Sequence, residues 1–199
     1  MANLNSSVIV EGLRFPEGPR WHDGRLFFSD MHDCQVLALD PDGVLGPVVE
    51  VQGQPSGLGW DPQGRLLVVS MIDRRLLRLE VDSNGAQELV EVASLGAWAT
   101  WHCNDMVVDA LGRAYVGNFG FDLDTQPVVP SSTCIVRVDP DGSVHLAASD
   151  MRFPNGSVIT PDGSTLFVCT ADASNPSETG VRRGAIEACE VAVPGAGLP

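Results

Sequence analysis

Four short stretches of this chain carry residues able to bind a cation or a small polar ligand. They are Phe15-Pro16-Glu17-Gly18, Gln54-Pro55-Ser56-Gly57, His102-Cys103-Asn104-Asp105 and Phe153-Pro154-Asn155-Gly156. Each is followed by a second signature: Asp23-Gly24-Arg25, Gln63-Gly64-Arg65, Leu111-Gly112-Arg113 and Asp162-Gly163-Ser164. Aligning the four puts Glu17, Ser56, Asn104 and Asn155 at one position. A carboxylate and two amide carbonyls are hard oxygen donors. They suit Ca²⁺, Mg²⁺ or Mn²⁺, and Zn²⁺ also binds oxygen. A cation so held polarises a carbonyl and acidifies a bound water, which is the chemistry of ester hydrolysis. His102, two residues before Asn104, is either a substrate contact or a packed channel residue.

These residues are far apart in sequence, so the fold must gather them. The glycines of the second signature fall at 24, 64, 112 and 163, in steps of 40, 48 and 51 residues. A period of roughly 40–50 residues built from short strands and glycine turns marks β-propeller blades. Equivalent positions of every blade then converge on one central channel. The expected architecture is all-β, a single partial propeller domain over 1–199 with repeats near 15–54, 55–102, 103–153 and 154–199. Within repeats, Leu26–Ser29, Gln35–Leu39, Val48–Val51, Leu66–Ser70 and Arg75–Val81 read as strands. Asp-Pro-Asp-Gly at 40–43 and 139–142 reads as a tight turn. Two long loops, 117–132 and 171–183, break the rhythm; they read either as the rim or cover of a pocket or as plain surface decoration.

Bulk properties narrow the classes. With 199 residues, 44% of them hydrophobic, the chain can bury a core. Its net charge of −14 repels phosphate backbones, which excludes nucleic acid and anionic membrane as partners. The five cysteines are odd in number and show no C-x-x-C spacing, so free thiols in a reducing compartment are expected. No apolar run reaches the ~18 residues of a membrane span, and the N-terminus carries no signal-peptide pattern. The expected location is cytoplasmic. Oligomeric state is not legible.

Phe15-Pro16-Glu17-Gly18-Pro19-x-Trp21, Asn104-Asp105-x-x-x-Asp109-x-x-Gly112-Arg113 and Phe153-Pro154-Asn155-Gly156, in this order and spacing, resemble the SMP-30/gluconolactonase/luciferin-regenerating-enzyme family. The resemblance runs from about residue 10 to about 170. It implies a six-bladed β-propeller, of which about four blades are present here. It also implies hydrolysis of a lactone or related ester through one divalent cation in the channel, Ca²⁺ or Zn²⁺ first. By motif matching, Glu17 and Asn155 become metal ligands, and Asn104 a ligand or substrate contact. The family's further aspartate ligand, also a candidate acid/base, falls about one blade past Asn155 and so beyond residue 199. The chain thus reads as C-terminally truncated, with its general base unassigned. His102 stands where some lactonase members carry a substrate-contacting Arg, and Met106 where many carry Gly, which leaves sugar-lactone specificity open.

Other readings stand beside this one. Glu17 alone reads as a surface carboxylate, and Asn104 and Asn155 as turn residues. Ser56 reads as a silent channel residue, since the G-x-S-x-G elbow of a serine hydrolase is absent. Asp105 follows Asn104, and strand alternation turns its side chain the other way. Asp122 and Asp124 lie in the long loop within possible reach of a polar substrate, and Trp98 and Trp101 line a pocket or pack in the core. The functional rivals are a non-catalytic propeller that binds ligands or proteins, and a metal-free six-bladed relative of the strictosidine-synthase-like group.

Overall fold

The computed structural model describes residues 7–160, 165–170 and 185–191. Among them the chain is all-β apart from one 3-10 turn at Met31–Asp33. The first sheet holds β1 (Pro16–His22), β2 (Arg25–Asp30), β3 (Gln35–Leu39) and β4 (Leu45–Glu50). The second holds β5 (Pro55–Trp60), β6 (Leu66–Ser70), β7 (Arg75–Val81) and β8 (Gln87–Ser94). The third holds β9 (Cys103–Val108), β10 (Ala114–Asn118), β11 (Thr133–Val138) and β12 (Val144–Met151). The fourth, among described residues, holds β13 (Ser157–Ile159), β14 (Thr165–Thr170) and β15 (Ala185–Glu190). Every sheet is an antiparallel meander in chain order, and the first strands lie innermost, β5 packed on both β1 and β9. The four sheets are blades of a β-propeller. Of the loop expected at 117–132, residues 117–118 belong to β10 and 119–132 join β10 to β11, whereas 171–183 lies outside the described residues.

The blades are held together by apolar layers between them. Phe27, Val36, Leu58, Leu66, Val68 and Leu77 fill the layer between the first two blades. Leu67, Val69, Leu76, Met106, Val108 and Val116 fill the next, and Tyr115, Ile135, Ile159, Leu166 and Val168 the third. Consecutive residues of β6 therefore serve different layers: Leu66 and Val68 face one neighbour, Leu67 and Val69 the other. That is why β6 reads as an unbroken apolar run and not as an alternating one. Burying each such side chain is worth about 1.5–3 kcal/mol.

In the second and third repeats the second signature is a structural device. In Asp61-Pro62-Gln63-Gly64-Arg65, Asp61 Oδ1 accepts the amides of Gln63 and Arg65 at 2.9 Å each, and Arg65 Nε donates to Asp61 Oδ2 at 2.7 Å. Asp109 does the same with Leu111, Arg113 and the Arg113 guanidinium at 3.0, 3.0 and 2.6 Å. Gly112 closes that turn at φ +79°, a left-handed angle that a glycine adopts freely. These turns join β5 to β6 and β9 to β10 at the far end of the inner strands from Ser56 and Asn104.

The inner strands approach one another closely. A methyl group placed on Gly57 of β5 would sit 2.8 Å from the Asp105 carbonyl carbon and collide with the Met106 amide nitrogen of β9. Gly57→Ala is therefore expected to lower stability by about 1–3 kcal/mol, the usual cost of overpacking. Urea unfolding checks this; an unchanged midpoint would show that the blades can spread at the axis without loss.

Candidate functional site

The mouth-side ends of the inner strands are anchored by hydrogen bonds from the second strands. Asp30, buried at the end of β2, accepts the Phe15 amide at 2.7 Å, and the Met31 amide donates to the Phe15 carbonyl at 3.0 Å. This fixes the chain just before Glu17. In the third blade the Phe119 amide donates to the His102 carbonyl at 2.9 Å, fixing the chain before Asn104. In the fourth the Asn155 amide donates to the Cys169 carbonyl at 2.9 Å.

Glu17 and Ser56 meet across the first two blades. Ser56 Oγ donates to Glu17 Oε1 at 2.8 Å, while the Ser56 carbonyl accepts from Ser29 Oγ at 2.7 Å. Ser56 is buried and orients the carboxylate, so it is not silent. Asn104 is buried and Asn155 exposed. Asn104 Nδ2 donates to the Pro154 carbonyl at 3.0 Å, which ties the third motif to the fourth and turns Oδ1 to the opposite side of the amide.

Alternation misplaces Asp105. Its carboxylate accepts from Arg20 Nη2 of β1 at 2.9 Å, and a methyl group on Gly156 would lie 4.0 Å from its Oδ2. A residue of the third blade that touches the first and approaches the fourth points to the axis. The Met106 amide donates to Asp105 Oδ1 at 2.8 Å, so the carboxylate folds over its own backbone in place of leaving the strand squarely. Arg20 Nη2 also donates to the Met106 carbonyl at 2.8 Å. The two side chains are only 12% and 11% exposed. One signal for this pair was present in the sequence: a charged residue on a channel strand, three past Glu17, demands a buried partner.

Electrostatics follow from this crowding. Burial raises the Glu17 carboxyl above its ordinary value; the Ser56 hydroxyl opposes the shift, the Asp105 charge adds to it, and His32 opposes it. Burial likewise holds the His102 imidazole below its ordinary value, against the pull of Asp124 and Asp122, with Arg74 adding to the fall. His102 stacks on Trp101 with centroids 4.7 Å apart. Trp98 is 37% exposed and lies outside the core. His22 stacks on Trp60 at 4.0 Å and is structural. Burial drives the Cys103 thiol up to about 12, so it is inert.

A half-buried carboxylate and a buried one, Glu17 and Asp105, repel each other and fit a hard divalent cation in donor chemistry. Among the described residues no three His, Cys, Asp or Glu side chains gather into a metal-binding cluster. A cation here would therefore lean on the amide oxygens. A cavity of about 780 Å³ opens at the other end of the inner strands, lined by Trp21, Leu58, Trp60, Val107 and Val158. Arg20 also lines it, so the Arg20–Asp105 pair stands between that cavity and Glu17.

The chain matches the SMP-30/Gluconolactonase/LRE-like region over residues 15–188, and it belongs to that family. It is 25% identical over 189 residues to a gluconolactonase of Zymomonas mobilis, with 85% of this chain and 52% of that protein covered. It is 24% identical over 168 residues to the pentonolactonase XacC of Haloferax volcanii, with 83% and 53% covered. Among solved structures it resembles the gluconolactonase XC5397 of Xanthomonas campestris with a TM-score of 0.68 at 24% identity, covering 89% of this chain and 59% of that one. The chain spans about half the length of the curated relatives it matches.

Removing Arg20 leaves the Asp105 carboxylate buried without its partner. Arg20→Met should cost about 3–5 kcal/mol, and adding Asp105→Asn should recover most of it. Urea unfolding of both single variants and the double variant measures this coupling; additive losses would mean the pair does not interact. Glu17 carries a distinct pH signature. Its folded pKa lies above the ordinary 4.5, so its contribution to stability is full below that value and is lost as pH rises through the folded one. Metal-free Glu17→Gln should thus be more stable than the parent at neutral pH, with the gap closing as pH falls below the unfolded pKa. Equal stability across the range would show that Glu17 is not strained.

Proposed function

We propose that this chain carries the metal-binding face of a divalent-cation-dependent lactone hydrolase. The observation that supports it most is Glu17, held by Ser56 and facing the Asp105 charge, in a chain of this family whose Asn104 is tied to the fourth motif. In this reading Glu17, Asn155 and Asn104 hold the cation, Ca²⁺ or Zn²⁺ first and Mg²⁺ or Mn²⁺ next. When bound, the cation polarises the lactone carbonyl and lowers the pKa of water. Water adds to the carbonyl carbon, the ring C–O bond breaks, and the leaving oxygen takes up a proton to give the hydroxy acid. Ser56 keeps Glu17 aimed, and the Pro154 carbonyl keeps the Asn104 amide from rotating. Asn104 and His102 border the substrate. The role of base is not assigned to Asp105, whose Oδ1 is committed to Arg20 and to its own strand.

Two relatives acting on lactones, one named for gluconate and one for pentonates, support the substrate class. The free cysteines suit a reducing compartment, so a cytoplasmic setting belongs to the proposal. Among the described residues no helix is long and apolar enough to cross a membrane.

Elemental analysis of the purified chain and of Glu17→Gln tests this reading, together with titration of acid released from a lactone panel. The expected result is about one divalent ion per chain, lost in the variant, with kcat/KM falling about 100-fold or more. Undiminished hydrolysis by Glu17→Gln would falsify the assignment. No metal and no hydrolysis in either protein would indicate a propeller that binds ligands without catalysis.

A further inference from the structure

The channel mouth beside Asn104 and Asn155 is walled by aromatic rings. Trp101 stacks on His102, Phe119 lies 6.0 Å from His102 and stacks on Phe153 at 4.8 Å, and Phe121 lies 5.8 Å from Phe153. The rings come from three separate segments: the chain before β9, the long loop after β10, and the chain before Asn155. Their position is tied to the donors. His102 and Phe153 stand two residues before Asn104 and Asn155, so at most about 7 Å of chain separates each ring from its donor.

The wall is not interior packing. Phe121 is buried, but Trp101, His102, Phe119 and Phe153 keep part of their surface open. Phe153 holds a left-handed φ of +46°, as Gln54 does at the aligned position of the second repeat at +64°, so the repeat's backbone sets the direction of its ring. The loop that carries Phe119 and Phe121 is clamped at its base. Thr100 Oγ1 and Ser131 Oγ both donate to the Gly120 carbonyl at 2.7 Å, and Thr133 Oγ1 donates to Asn118 Oδ1 at 2.6 Å. A partly open aromatic surface held this firmly is suited to a ligand, because little ordering remains to be done on binding.

We propose that this wall receives the substituent of the lactone ring, and that it selects lactones bearing an aromatic or alkyl arm over polyhydroxylated sugar lactones. The inference rests on the hydrolase reading above and names its substrate class. An apolar arm against Trp101, Phe119 and Phe153 removes apolar area from water and gains ring contacts. A sugar lactone brings several hydroxyls that lose water and need partners, and these ring faces supply none.

The test compares the full chain, supplied with Mn²⁺ or Ca²⁺, on dihydrocoumarin and δ-decalactone against glucono-δ-lactone. Phe119→Leu and Phe153→Leu, which keep an apolar side chain, are measured alongside, with thermal melts to confirm folding. Binding of 2-tetralone, the carbocyclic analogue of dihydrocoumarin, is followed by tryptophan fluorescence without turnover. The expected result is kcat/KM at least about tenfold higher for the arm-bearing lactones. Each variant should lose about fivefold more on those lactones than on gluconolactone, and should weaken tetralone binding. Preference for gluconolactone, or equal loss on all substrates, overturns the proposal and leaves the hydrolase reading standing. Saturable tetralone binding, weakened in the variants, with no hydrolysis of any lactone keeps the aromatic subsite and overturns the hydrolase reading. Absence of both binding and hydrolysis overturns the two together.

Discussion

The arrangement depends on how closely the inner strands approach one another around the axis. Gly57 of β5 lies directly against the Asp105–Met106 peptide of β9, with no room for a side chain between them. Further along, Gly59 makes room for the Val108 side chain. Only at this spacing can Ser56 reach Glu17 from the neighbouring blade, or Arg20 reach past the second blade to Asp105. The apolar layers between blades set the same distance from outside, since Leu58 and Met106 are fully buried on either side of it.

That closeness explains why a charge at the axis needs a partner. A carboxylate in so narrow a space cannot keep its water, and desolvation disfavours its ionised form. Asp105 is given a guanidinium and a backbone amide; Glu17 is given a single hydroxyl and remains under strain. The two carboxylates therefore differ in kind. One is part of the frame, and the other is the group whose charge is least satisfied.

The two ends of the inner strands divide labour. At one end the Asp61–Arg65 and Asp109–Arg113 turns repeat nearly atom for atom and serve stability. At the other, the residues before each donor differ from blade to blade: Phe15, Gln54, His102 and Phe153. The long loop of the third blade adds Phe119 and Phe121 beside two of them. A ring of blades can vary such mouth residues without disturbing the layers between sheets, because the layers are built from other positions of the strands.

Much of this was legible in the chain. The glycine spacing and the four aligned motifs determined the propeller, the blade order and the level at which Glu17, Ser56, Asn104 and Asn155 stand. Turn residues at 40–43 and 139–142 determined where strands end, because their geometry is local. Strand alternation failed at Asp105, where the side chain bends back over its own amide, and at β6, where both faces are buried. The hydroxyl of Ser56 on Glu17, the guanidinium of Arg20 on Asp105 and the ring stack from Trp101 to Phe153 were decided by tertiary structure alone. These contacts join residues 39 and 85 positions apart, or rings from three segments. Periodicity says which face a residue is on; only the closing of blades around an axis says which face it meets.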